Sequence, residues 1–363
     1  MTRYAVPSPL LAAPGAVAAD GVDAGVAAHY GDPMREQRLL TEGLAAVDLS
    51  HRGVVTVTGP DRLSWLHSMT TQALTGLEPG VGTESLVLDP HGHIEHALHI
   101  VDDGTTTWIT VEPGTAADLV AWLERMRFML RVEVADVTDR YAVVGEPFGA
   151  PAAPGEPVMW VDPWPGEVDL TPSGRAGRIA AYGPIEGHPA QGRRWREAIV
   201  PREQLVAYVD DRPLAGMWAA EALRVAAWRP RMGFETDHRT LVHEVDWLRS
   251  AVHLHKGCYR GQEAVARVHN LGKPPRRVVF LHLDGSGHVL PPHGADVTVA
   301  GGGTGPNAGR VVGFVTSVAR HFETGPIALA LVKRSLPVDA ALIVADGAGG
   351  LGISATQEVI VAP

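Results

Sequence analysis

An α+β fold ending in a small antiparallel β-barrel or sandwich is predicted by two patterns in the sequence. Up to about residue 275, β-branched runs alternate with stretches whose apolar residues recur at helical spacing. Beyond Lys273-Pro274-Pro275, short strands separated by Gly/Pro turns follow one another without helices. Hydrophobic residues make up 45% of the 363 and charged residues 20%, enough to support a sizeable core and to exclude wholesale disorder.

Residues 1–30 open with an Ala/Pro/Leu/Val stretch behind Arg3. Pro7, Pro9 and Pro14 would break the helix of a signal-peptide core, so this stretch reads as a loosely ordered arm of a cytoplasmic protein. No run of eighteen apolar residues follows, which excludes a membrane-spanning helix. Val54–Thr58 reads as a strand, and Gly59-Pro60-Asp61 turns it into a helix carrying Leu63, Trp65, Leu66 and Met69. Strands are expected at Ser85–Asp89, Ile94–Val101 and Thr107–Glu112. A helix then starts at Thr115, with Asp118 placed for a capping box, followed by a strand at Arg131–Ala135.

The Pro- and Gly-rich residues 147–189 predict irregular connections and short edge strands. Helical pattern returns at Pro201–Tyr208, Met217–Val225 and Gly261–His269. Val278–Leu283, Asp296–Ala300, Gly309–Ser317, Ile327–Val332 and Leu342–Val344 are the expected barrel strands. The resulting division is an arm over 1–30, a two-part α+β region over 31–275 and a barrel over 276–363.

Net charge is −10, opposite in sign to a global nucleic-acid binder, so no direct nucleic-acid partner is expected. With one cysteine the chain can form no internal disulfide and no Cys-rich metal site within one protomer. That cysteine lies in Lys256-Gly257-Cys258-Tyr259-Arg260-Gly261-Gln262-Glu263, ahead of a helix N-terminus and between two basic residues. Such a setting favours a thiolate; the plainer reading is a small buried residue. From His253 to Arg277 six basic residues (Lys256, Arg260, Arg267, Lys273, Arg276, Arg277) face one acid, Glu263. The excess reads either as a local patch for an anionic ligand or as a solvated rim.

Lys256 to Glu263, with Val265-Ala266-Arg267 after it, resembles the K-G-C-Y-x-G-Q-E-x-V-A-R signature of the YgfZ family of folate-binding proteins. Val47-Asp48-Leu49-Ser50-His51 and Val55–Asp61 resemble the opening of the related glycine-cleavage aminomethyltransferases (GcvT). The stretch from Arg276-Arg277-Val278 onward resembles their barrel. The resemblance covers about residue 40 to the end. It implies a GcvT-like three-part fold: two interleaved α+β subdomains around a central folate-binding hole, with a C-terminal antiparallel β-barrel. It also implies tetrahydrofolate or a one-carbon derivative as ligand, a role in iron–sulfur cluster assembly or repair in client enzymes, including tRNA-modifying radical enzymes, and Cys258 as the functional thiol.

Folate contacts carry over to Glu244, whose carboxylate suits the amino and ring N–H donors of a pterin, and to Arg224, placed to bind carboxylate or to brace Glu244. Lys256, Tyr259 and Arg267 carry over with them, Lys256 and Arg267 toward the glutamate tail or a client surface. Gly257, Gly261, Gln262 and Glu263 carry over as motif and structural positions.

The aminomethyltransferases have G-x-I-D-D-L where this chain has Gly92-His93-Ile94-Glu95-His96-Ala97-Leu98. Their second Asp is His96 here, and the alternative reading, aminomethyl transfer, is disfavoured. A weaker alternative is a metal-dependent enzyme using His91, His93 and His99, which with Glu95 would share one face of a strand. Trp65 and Trp122 are expected in the core, and Trp228 or Trp247 beside the folate segment.

Overall fold

The computed structural model describes residues 6–148, 156–166, 182–184, 186–301, 309–347, 349–350 and 352–363. Parts of the Pro/Gly-rich stretch for which the sequence predicts irregular connections lie outside the described residues.

Five antiparallel strands form the first sheet, in the order Gly82–Leu88, Ile94–Asp102, Thr106–Val111, Gly53–Thr58 and Glu133–Asp136. Helices Arg62–Met69 and Ala116–Met126 lie on one face, where Trp65, Leu66, Leu119, Trp122 and Leu123 pack against Val55, Val57, Leu98 and Ile100. The other face is buried too: Val54 and Val101 join a second core with residues of the next sheet. Burial on both faces is why Val54, Val55 and Val57 crowd one short strand. Thr115 does not form the expected capping box. Its hydroxyl donates to the Glu112 carbonyl at 2.8 Å, and no side-chain bond caps the helix that follows.

The second sheet runs Val158–Val161, Trp195–Pro201, Tyr141–Pro147, Ala46–Asp48 and Leu214–Ala215, antiparallel except for the last pair. Ala46–Asp48 precedes the first sheet in the chain and the other four strands follow it, so the two subdomains are interleaved. Helices Pro33–Thr41, Leu205–Val209 and Met217–Ala226 complete this half. A closed six-stranded antiparallel barrel holds Arg276–Leu283, Gly325–Lys333, Val311–His321, Asp296–Val299, Leu342–Val344 and Ile353–Val359, the last pairing back to the first.

The N-terminal segment differs from expectation. Residues 6–30 are packed onto the body, with Leu10, Val26, Ala27 and Ala28 buried and Val17–Ala18 paired to Ala27–His29. The small residues allow a close approach: the Ala28 carbonyl oxygen lies 2.3 Å from where a Cβ on Gly216 would stand. Asp23 then reaches Arg231 at 2.6 Å and His51 at 3.0 Å, fixing the segment by a buried ion pair and a hydrogen bond.

Candidate functional site: a presented thiol and a central cavity

The Cys258 loop is fastened on every side. Lys256, nearly fully buried, donates through Nζ to the carbonyls of His67, Thr70 (2.5 Å) and Gln72 (2.9 Å) at the C-terminal end of helix Arg62–Met69. Its ammonium also sits 5.1 Å from the Tyr259 ring. Tyr259 is buried in the large core, and burial pushes its phenol up to about 12. Arg260 pairs with Glu95 at 2.6 Å.

Gly261 closes the loop with φ +82°. A Cβ there would lie 2.6 Å from the Asp89 carbonyl oxygen, so only glycine permits this approach. Helix Gln262–Leu271 begins at once, and Gln262 reaches back to the Lys256 carbonyl at 3.5 Å. What remains outside is Gly257, whose missing Cβ would meet nothing within 4 Å, and Cys258, a free and exposed thiol.

This geometry revises the expected basic patch for an anionic ligand. Lys256 is spent on three carbonyls, Arg260 on Glu95, and Arg276 on Asp237 and Glu244. Arg277 is fully buried and donates to the Leu336 carbonyl and Gln357, while Lys273 bonds the carbonyl of Pro363. Arg267 is exposed on its helix, as is Glu263.

Glu244 is also not where a ligand could meet it. It is fully buried, and its two oxygens accept from Leu241 N (3.2 Å), Arg276 N (3.2 Å), Arg276 Nε (3.0 Å) and Arg276 Nη2 (2.8 Å). This is a clasp between the segment 241–244 and the first barrel strand.

The cavity lies elsewhere, between the two sheets, helix Met217–Ala226 and barrel residues His321–Glu323, with a volume of about 810 Å³. That is within the range of small-molecule sites. Of the five residues expected to contact folate, Arg224 lines it; Glu244, Lys256, Tyr259 and Arg267 do not. Arg224 braces Glu235 (2.9 Å), not Glu244, and also holds Glu221 (2.9 Å) and Ser317 (2.6 Å), tying the helix to the barrel. Trp247 lines the cavity and Trp228 does not.

The remaining wall was not anticipated. Trp160 stacks on His99 with centroids 3.7 Å apart and rings 2° from parallel. Glu197 joins Arg52 (2.7 Å) and His99 (3.0 Å). Arg229 joins Glu84 (2.7 Å) and Asp162 (3.2 Å). These groups come from positions scattered between 52 and 229, so no local spacing announces them. The signal available was a charge breaking an apolar strand, as at Glu84 and Glu197. Two donors on this wall, Arg229 Nη1 and Arg52 Nε, are buried with no hydrogen-bond partner.

The histidine cluster is dispersed by a bulge that pairs Val87 with His96 but Leu88 with Ile94. His93 binds Asp89 at 2.9 Å, Glu95 goes to Arg260, and His99 turns into the cavity wall. Among the described residues no group of three His, Cys, Asp or Glu is arranged to hold a metal. His96 is off the cavity wall, and burial lowers its pKa.

Acid should unfold this protein in two stages. Burial pushes His188 and His243 down to about 4. The unfolded chain therefore binds protons more readily, and stability present above about pH 6.5 is lost as pH falls toward 4, about 2–3 kcal/mol per histidine. Burial alone would raise Glu197, but Arg52 and His99 outweigh it and hold the carboxyl at about 2. Its stability is present above about pH 4.5 and is lost, by about 3 kcal/mol, as pH falls toward 2. Urea midpoints measured from pH 8 to 3 should fall first below pH 6.5; a flat profile to pH 4.5 would contradict the neutral buried histidines.

Residues 11–145 match the family model described as the GCVT N-terminal domain. A chloroplastic protein of Arabidopsis thaliana, named as a transferase, is 26% identical over 71% of this chain, a match that spans 60% of its own length. An aminomethyltransferase of Nostoc is 27% identical, covering 83% of this chain and 80% of the relative. A mitochondrial IBA57 homolog of Mycosarcoma maydis, an iron–sulfur cluster assembly factor, is 24% identical over 78% of this chain and 73% of its own. The crystal structure of the glycine cleavage system aminomethyltransferase T of Bartonella henselae superposes with a TM-score of 0.72 at 18% identity, over 98% of this chain and 95% of that one. The chain has the aminomethyltransferase fold, complete with its closed C-terminal barrel.

Proposed function

We propose that this protein is a cytoplasmic, folate-binding accessory factor of the YgfZ kind, which supports assembly or repair of iron–sulfur clusters in client enzymes through Cys258. The observation that carries the reading is the division of labour in the loop 256–261. Lys256, Tyr259, Arg260 and Gly261 are all spent on the fold, and their combined effect is to hold one thiol out in solvent. Similarity to the IBA57 homolog supports the iron–sulfur assignment.

The cavity suits tetrahydrofolate. Its aromatic wall can cover a flat ring, and the unpartnered Arg229 Nη1 and Arg52 Nε can donate to pterin or carboxylate oxygens. Glu84 and Glu197 would orient those arginines. When bound, the folate would supply a one-carbon carrier; the chain's own residues fix its pose and shield it from water.

Aminomethyl transfer is the less favoured reading. The position of the transferases' carboxylate is His96, off the cavity wall, and the neighbouring acid Glu95 is committed to Arg260. The test of the ligand assignment is calorimetric titration of tetrahydrofolate into the wild type and Ala220→Trp, which places an indole in the cavity at a residue that itself carries no charge. Binding weakened at least about tenfold in the variant is expected; equal binding by both proteins, or none by the wild type, would remove folate from the cavity.

A further inference from the structure

The cavity and the thiol loop lie at the two ends of one short stretch of chain. Trp247 lines the cavity, helix Leu248–Ala251 follows, and Lys256 begins the loop that presents Cys258. Three side chains from the first sheet and its connections pin this stretch in place.

Glu84 is fully buried on the cavity wall and divides its two oxygens. Oε1 pairs with Arg229 Nη2 (2.7 Å) and accepts from Trp247 Nε1 (3.1 Å), while Oε2 accepts from Ser250 Oγ (2.6 Å). Gln72 donates through Nε2 to the Ser250 carbonyl at 3.0 Å, and its own carbonyl accepts from Lys256 Nζ at 2.9 Å. Thr71, also buried, donates its hydroxyl to the Ala251 carbonyl at 2.6 Å and accepts from His253 N at 3.0 Å. An unbroken series of bonds therefore runs from Arg229 through Glu84, Ser250 and Gln72 to Lys256. Its first member is the arginine whose Nη1 is buried without a partner.

A ligand oxygen that accepts from Arg229 Nη1 relieves an unpaired buried donor, a gain of about 1–3 kcal/mol. The guanidinium is then held from both sides. Glu84 cannot move with Arg229 alone, because the same carboxylate carries Ser250. Coupling between sites travels through contiguous bonded and packed groups of this kind. We propose that Ser250 is a positioning residue that transmits occupation of the cavity to the Cys258 loop, so that the thiol is held in one presented geometry when ligand is bound. Neither Ser250 nor Gln72 lines the cavity, so both act on the ligand only through Glu84 and Arg229. This deepens the proposed function and rests on its assignment of tetrahydrofolate to the cavity.

The test is amide exchange of the full-length protein with and without saturating tetrahydrofolate, resolved to single amides by fragmentation mass spectrometry. Two amides report the loop: His253 N, bonded to the Thr71 carbonyl, and Gln262 N, bonded to the Tyr259 carbonyl at 3.2 Å. In the wild type both should exchange at least about 5-fold more slowly with ligand. Ser250→Ala, which removes the bond to Glu84, and Gln72→Met, which removes the bond to the Ser250 carbonyl, should each abolish that protection. The Trp247 amide, beside the cavity, should stay protected by ligand in both variants, a result that a simple loss of binding would not give. Ser250→Thr keeps the hydroxyl and should couple as the wild type does. Gln72→Met leaves Glu84 fully bonded, so it reads the relay even where Ser250→Ala lowers stability.

Ligand protection of His253 and Gln262 retained in both variants would overturn the proposal, as would its absence from a wild type that binds tetrahydrofolate. A wild type that binds no tetrahydrofolate would instead overturn the folate assignment, and this inference with it.

Discussion

Glu244→Ala should lower stability by about 3 kcal/mol while leaving the affinity for tetrahydrofolate unchanged. The carboxylate is fully buried and serves three donor groups at once: the backbone N of Leu241, the backbone N of Arg276 and the Arg276 guanidinium. Removing it leaves two backbone N–H groups without an acceptor, each costing about 1–3 kcal/mol, and a guanidinium with half its partners. Arg276 keeps Asp237 at 2.6 Å and remains partly exposed, which is why the loss falls short of that for a fully orphaned buried charge. Glu244→Gln keeps the shape and part of the bonding and should lose about half as much. Urea unfolding of the three proteins measures the stability term. A Glu244→Ala protein as stable as the wild type but unable to bind tetrahydrofolate would reverse the assignment and put Glu244 back in the ligand site.

The case of Glu244 shows what a motif conveys and what it leaves out. A shared segment fixes a position in the fold, but not which way a side chain points or what it meets there. Arg276, also singled out in the sequence as part of a basic excess, is the group that claims Glu244. The two were legible separately and their pairing was not, because they lie 32 residues apart on different subdomains. The Cys258 loop was legible because its chemistry is local: glycines where the backbone turns, an anchor before and a helix after.

The barrel was legible for a similar reason, its strands being punctuated by Gly and Pro, although Ile353–Val359 was missed since Ile-Ser-Ala-Thr-Gln-Glu-Val is largely small and polar. The central strands Tyr141–Pro147 and Trp195–Pro201 of the second sheet were hidden by the prolines that end them and by the Pro/Gly-rich stretch between. With those strands unseen, the cavity they wall, and Glu197 within it, could not be placed.

Cys258→Ala should have the largest functional effect of any substitution in the chain. The thiol is exposed and makes no contribution to the core, so folding, melting temperature and tetrahydrofolate affinity should all match the wild type within error. The four fixed neighbours, Lys256, Tyr259, Arg260 and Gly261, would then present a methyl group where the thiol was. Measuring the activity of an iron–sulfur client enzyme in a strain lacking this protein, rescued by wild type or by Cys258→Ala at equal expression, tests the central claim most directly. Rescue by the wild type alone is the predicted result. Full rescue by Cys258→Ala would contradict the account, leaving the loop as a structural latch and the function in the cavity.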